Sequence, residues 1–157
     1  MRSLLAGLAI LVTACSPGTP STANDTARRD ALVAAVRQAA PGSTVDLRQT
    51  VGSDWERAIF LGPYIRNDEA KADLGFDFDI ERVSPWVNSE GGTVVVLASG
   101  SQAVAWFALP SKDAGVHCLE DPTIPAADAT LTLVEESGGY RELAKPDRLQ
   151  CAPFTIR

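Results

Sequence analysis

The side chains of this 157-residue chain that could do chemistry are three cysteines, one histidine and a run of alternating carboxylates. The histidine is His117. A Ser-His-acid triad would have to use it, yet no Gly-x-Ser-x-Gly elbow exists, and Ser99 and Ser101 flank Gly100 in a turn-like segment. Beside Cys118 it reads as a loop histidine, and a lone imidazole leaves no ordinary zinc site. The carboxylates are Asp77, Asp79 and Glu81. Spaced at i, i+2 and i+4 on a strand, they would share a face and could meet a hard cation such as Ca²⁺. Calcium takes about six to eight oxygens, however, and a strand holds its side chains too far apart to wrap the ion alone. The expected role is a solvated face that discourages edge pairing. Gly91-Gly92 and Gly138-Gly139 lie between strand signals and read as turns, not as phosphate loops. We therefore expect no catalytic set, no metal and no cofactor.

Cys15 has a different setting. Arg2 gives a positive start, an apolar run covers residues 4–12, and small residues lead into the thiol. That order is the pattern of an export signal over residues 1–14. The run is well short of the roughly 18–20 residues that cross a bilayer as a helix. Val12-Thr13-Ala14-Cys15 resembles the lipobox of bacterial lipoproteins. The resemblance implies cleavage after Ala14, diacylation of the Cys15 thiol and a membrane-anchored protein outside the cytoplasm. Ser16 rather than Asp follows, which in a cell with two membranes implies the periplasmic face of the outer one. Residues 15–25, rich in Ser, Pro, Gly and Thr, would then be the lipidated Cys and its tether, and residues 26–157 one domain.

In an exported chain the remaining pair, Cys118 and Cys151, is expected to form a structural disulfide; two free thiols are the alternative. No Cys-x-x-Cys spacing is present to make the pair redox-active. The net charge of −6 becomes one unit more negative without Arg2. Such a balance argues against nucleic acid and anionic lipid headgroups as partners, since both select Lys/Arg-rich patches.

The elements that would position these groups follow from periodicity. Asn24, Asp25 and Thr26 can cap a helix whose stripe is Leu32, Ala35, Val36 and Ala39, ended by Pro41-Gly42. Val45, Leu47 and Val51 alternate with polar residues as in a half-buried strand. Ala58-Ile59-Phe60-Leu61 is apolar on both faces, as a central strand requires. Asn67 and Asp68 can start a short helix burying Ala70 and Leu74, with Gly75 as its stop. Phe76, Phe78 and Ile80 alternate with the three acids, a strand pattern. Residues 93–99 and 103–109 form the clearest hairpin, residues 110–129 a long loop, and residues 131–135 and 140–143 a second hairpin around Ser137-Gly138-Gly139. A short strand at residues 154–156 would close the chain. The sum is an α+β domain: an antiparallel sheet of about six to seven strands with two helices packed on one face.

Most aromatics fall inside apolar strands and read as core. Tyr64, Trp86 and Tyr140 sit at element ends beside Pro or Gly, where a ring can stay half exposed, and they are candidates for a contact surface. The segment Trp55-Glu56-Arg57-Ala58-Ile59-Phe60-Leu61-Gly62-Pro63-Tyr64, followed by a helix ending in Leu74-Gly75, resembles small uncharacterised bacterial lipoproteins. That family implies no activity and no catalytic residues. Ser137-Gly138-Gly139-Tyr140 ahead of a late Cys resembles the Ser-Gly loop of periplasmic lysozyme inhibitors, although that loop is longer and its fold is an all-β barrel. The leading expectation is a lipid-anchored, non-catalytic binding module whose partner is another envelope protein. The competing one is a periplasmic inhibitor or small-ligand-binding lipoprotein that works through Ser137 and Tyr140.

Overall fold

The computed structural model describes residues 23–116, 121–135 and 140–146. Cys15, His117, Cys118, Ser137 and Cys151, the signal over residues 1–14 and the strand expected at residues 154–156 lie outside them.

Helix α1, Thr26–Gln38, starts where Asp25 accepts the Arg28 backbone N–H at 3.1 Å. Its Leu32, Val33 and Val36 are buried. Its last carbonyls are not left to water. Arg141, far along the chain, donates through Nη1 to the carbonyls of Val36, Arg37 and Ala39 at 2.8, 2.9 and 3.0 Å.

The strand expected through Val51 stops early. Strand β1 is Thr44–Asp46, and helix α2, Leu47–Val51, follows at once. Asp46 causes the change by accepting the N–H groups of Arg48 and Gln49 at 2.8 and 3.2 Å. Leu47 and Val51 are four apart, a spacing that suits one helix face as well as one strand face. Trp55 is buried next, its indole N–H donating to the Gly52 carbonyl at 2.6 Å.

Strand β2, Arg57–Leu61, is covered on both sides as its composition demanded. Ala58 and Phe60 enter one hydrophobic cluster, and Ile59 and Leu61 enter the other. Helix α3, Asn67–Leu74, is opened by Glu69, whose side chain accepts the Arg66 N–H at 2.9 Å. Gly75 closes it in the left-handed region at φ 76°, with Ala70 and Leu74 buried. The strand expected from Phe76 onward is not formed. Residues 76–79 pair with no strand, and helix α4, Ile80–Val83, takes over. The alternating burial survives, with Phe76 and Phe78 half-buried, Ile80 buried and the acids exposed.

The expected first hairpin is present as β3, Gly92–Ser99, and β4, Gln102–Pro110. Gly100, at φ 55°, turns it between the paired Ser99 and Gln102. The segment expected to be a long loop contains β5, Gly115–Val116, and β6, Thr123–Pro125. The second expected hairpin is β7, Thr130–Glu135, with β8, Arg141–Ala144, paired from Glu135 and Arg141 inward.

The single sheet of the sequence reading is corrected to two, each of four strands. One runs β4-β3-β2-β6, antiparallel throughout; the other runs β1-β7-β8-β5, with β5 and β8 parallel. The helices are also divided. α1, α2 and the second sheet pack on one face of the first sheet, around Phe60, Val95, Leu97 and Phe107. α3 and α4 pack on the other face, around Ile59, Val94 and Val96. Alternation alone places a strand's two faces but not the sheet that it joins.

Candidate functional site

The acidic run does not converge. Asp77 pairs with Lys71 at 2.9 Å, Asp79 with Arg82 at 3.1 Å and Glu81 with Arg66 at 3.6 Å. Asn67 knits the group together, donating to Asp79 Oδ1 at 3.3 Å and accepting the Glu81 N–H at 3.1 Å. Each carboxylate has its own cation, and among the described residues no group of three or more His, Cys, Asp or Glu side chains could hold a metal ion. The acids fasten α4 to α3.

Tyr64 and Trp86 are brought together. The Tyr64 N–H donates to the Trp86 carbonyl at 3.0 Å. Tyr64 is the one non-glycine residue with positive φ among the described residues, at 65°. For an aromatic side chain this is a strained backbone, costing of order 1–3 kcal/mol. Its ring is nevertheless 50 % exposed. Shallow recesses lie on either side of Pro63, one reaching Glu69 and Ala72 on α3, the other Thr93, Val116 and Pro122. Asp73 lines both; its carboxyl is raised above the usual range by burial and then by the neighbouring charges of Asp121 and Glu69. The Trp86 ring is half-buried over the Gly91-Gly92 pair, where a Cβ on either glycine would fall within 2.6 Å of the indole. Those glycines therefore serve close packing, not a turn.

Tyr140 is 58 % exposed at the start of β8; its companion Ser137 lies outside the described residues. Tyr64 and Tyr140 are the exposed large apolar side chains among the described residues.

A further recess involves aromatics that the sequence marks only as core. Phe76, Phe78 and Val83, from the segment joining α3 to α4 and from α4 itself, face Ala103 and Trp106 of β4 across a cleft of about 330 Å³. Phe78 meets Trp106 edge-on, with ring centroids 6.3 Å apart at 75°. The only available signal was an apolar alternation with no paired strand to bury it.

No helix among the described residues is long and apolar enough to cross a membrane. Comparison of the chain with known protein families, characterised proteins and solved structures finds no match.

Proposed function

We propose that this protein is exported, anchored through lipid on Cys15, and acts there without catalysis by binding another envelope protein through the surface around Tyr64. The presentation of Tyr64 carries the reading. A bulky ring on a left-handed backbone is held in place by the Trp86 carbonyl, yet half of it faces solvent. Strain of that kind persists only where the surroundings enforce it, and the fold gains no buried ring in return. Exposed tyrosines at the centre of a contact supply large area at low entropic cost. The recesses beside Pro63 give a partner's side chains somewhere to seat.

The test, in intact cells, is a photo-crosslinking residue placed at Ala72, exposed on α3 in the recess beside Tyr64, so that the ring itself stays in place. One stoichiometric envelope protein should be captured, and competition with unlabelled wild type, but not with Tyr64→Ala, should remove it. Capture of many proteins in proportion to their abundance would sink the idea. In the same cells, Cys15→Ser should leave the membrane fraction, and a variant that still pellets with membranes would refute the anchor. A second reading draws on the exposure of Tyr140 beside the β7–β8 turn: an inhibitor of a lytic enzyme, lost on Tyr140→Ala.

A further inference from the structure

We propose that the cleft between residues 76–83 and β4 binds the acyl chain of a single-chain membrane lipid. This rests on the anchoring reading above, which keeps the domain close to a bilayer. The chain enters the fold at the cleft. Asn24 bridges Trp106, one of its walls, and the Asp25 N–H donates to the Trp106 carbonyl at 2.8 Å. Cys15 precedes Asn24 by nine residues, which span at most about 30 Å when fully extended. A lipid on Cys15 would therefore hold this recess, together with the start of α1, near the membrane.

The chemistry of the recess fits an amphiphile. Its walls are Phe76, Phe78, Val83, Ala103 and Trp106, all apolar. Ser101, Asp79 and Arg82 line it too and are exposed, so a headgroup can remain in water beside them. Asp77 and Asp79 are already balanced by Lys71 and Arg82, which favours an uncharged or zwitterionic headgroup over an anionic one. At about 330 Å³ the cleft stands at the small end of ligand sites, which run from about 300 to 1,000 Å³. That suits one chain and not the two of a bilayer phospholipid. Residues 76–79 pair with no strand and are tied by side chains, so this wall can shift to admit a chain without breaking a ladder.

The test uses the full mature chain carrying Cys15→Ser, with a one-chain phosphocholine lipid brominated along the acyl chain and kept below its micelle concentration. Bromine quenches indole only near contact; Trp55 belongs to the other hydrophobic cluster, and Trp86, although packed against this one, does not line the cleft. Quenching should saturate at one lipid per protein, and Trp106→Phe should remove most of the signal. Ala103→Phe, which fills the cleft, should weaken binding by about tenfold or more with the melting curve retained. Should that variant not fold, Val83→Phe fills the recess from the opposite wall. Quenching that never saturates, or filled variants that bind as tightly as the parent, would overturn the site. Saturable binding alongside a wild type found only in the soluble fraction would support the cleft and overturn the anchor alone.

Discussion

At the scale of single residues, two aspartates show how the same side chain is used in opposite senses. Asp54 receives both Nη groups of Arg28, at 2.9 and 3.0 Å, and this hydrogen bonding lowers its carboxyl below the usual range. Its contribution is fully present above the unfolded value near 3.9 and is lost as pH falls through the lower folded one. Asp54 is largely solvent-exposed, although Arg28 is not, so Asp54→Asn should cost only about 0.5 kcal/mol at neutral pH. Asp73 is raised instead, by burial and by Asp121 and Glu69, and no cation faces it among the described residues. Its penalty is absent in acid and sets in as pH rises through the carboxylate range, so Asp73→Asn should be slightly stabilising at neutral pH, an effect that solvent around this exposed side chain keeps small. Urea titrations of both variants at pH 7 and pH 3 check the pair: opposite signs at pH 7, converging on wild type at pH 3. Equal signs at pH 7 would refute the account. Tyr64 gives a third test. Tyr64→Gly should be neutral to about 1 kcal/mol stabilising, because glycine adopts φ 65° freely, while its crosslinked partner is lost. A variant that is clearly destabilised would show the ring to be structural.

At the scale of elements, what the sequence revealed depended on how many periods a segment could satisfy. β2 and the β3–β4 hairpin were legible because four to eight apolar residues between glycine turns have few alternatives. α2 was not, because Leu47 and Val51 fit strand and helix alike until Asp46 caps the turn. Residues 76–79 kept strand-like alternation without strand partners, since Gly75 and the Asn67 contacts tie them to α3. The candidate site was legible to the same degree. Tyr64 stood out beside Pro63 at a strand end, whereas Phe76, Phe78 and Trp106 looked like ordinary core, and only packing in three dimensions leaves a cleft between them. The helix that depends most on a distant residue is α1. Replacing Arg141 with Ala leaves three carbonyls, two of them partly buried, without their donor and should cost about 1–2 kcal/mol. Arg141→Lys should recover only part of that, because its side chain is one bond shorter and its single nitrogen does not reach the place Nη1 occupies between the three carbonyls. Thermal melts of both variants decide it; a lysine variant equal to wild type would mean that charge alone suffices.

At the scale of the whole molecule, the proposed Cys118–Cys151 bond would tie together two segments outside the described residues. Cys118→Ala should lower stability by about 3–4 kcal/mol on the chain-entropy account. An unchanged melt, together with thiol labelling of the native protein, would exclude the bond. The topology carries a consequence in time. Among the described residues β1 pairs with β7 alone, Thr44 opposite Thr132, and the end of α1 waits for Arg141. A chain made from its N-terminus thus cannot satisfy the last carbonyls of its first helix or complete its second sheet until nearly all of it exists. Early domains that fold on emergence jam a narrow channel. If the chain is exported as proposed, the N-terminal elements that lack their partners until synthesis is almost over would not yet be locked into a fold that blocks passage.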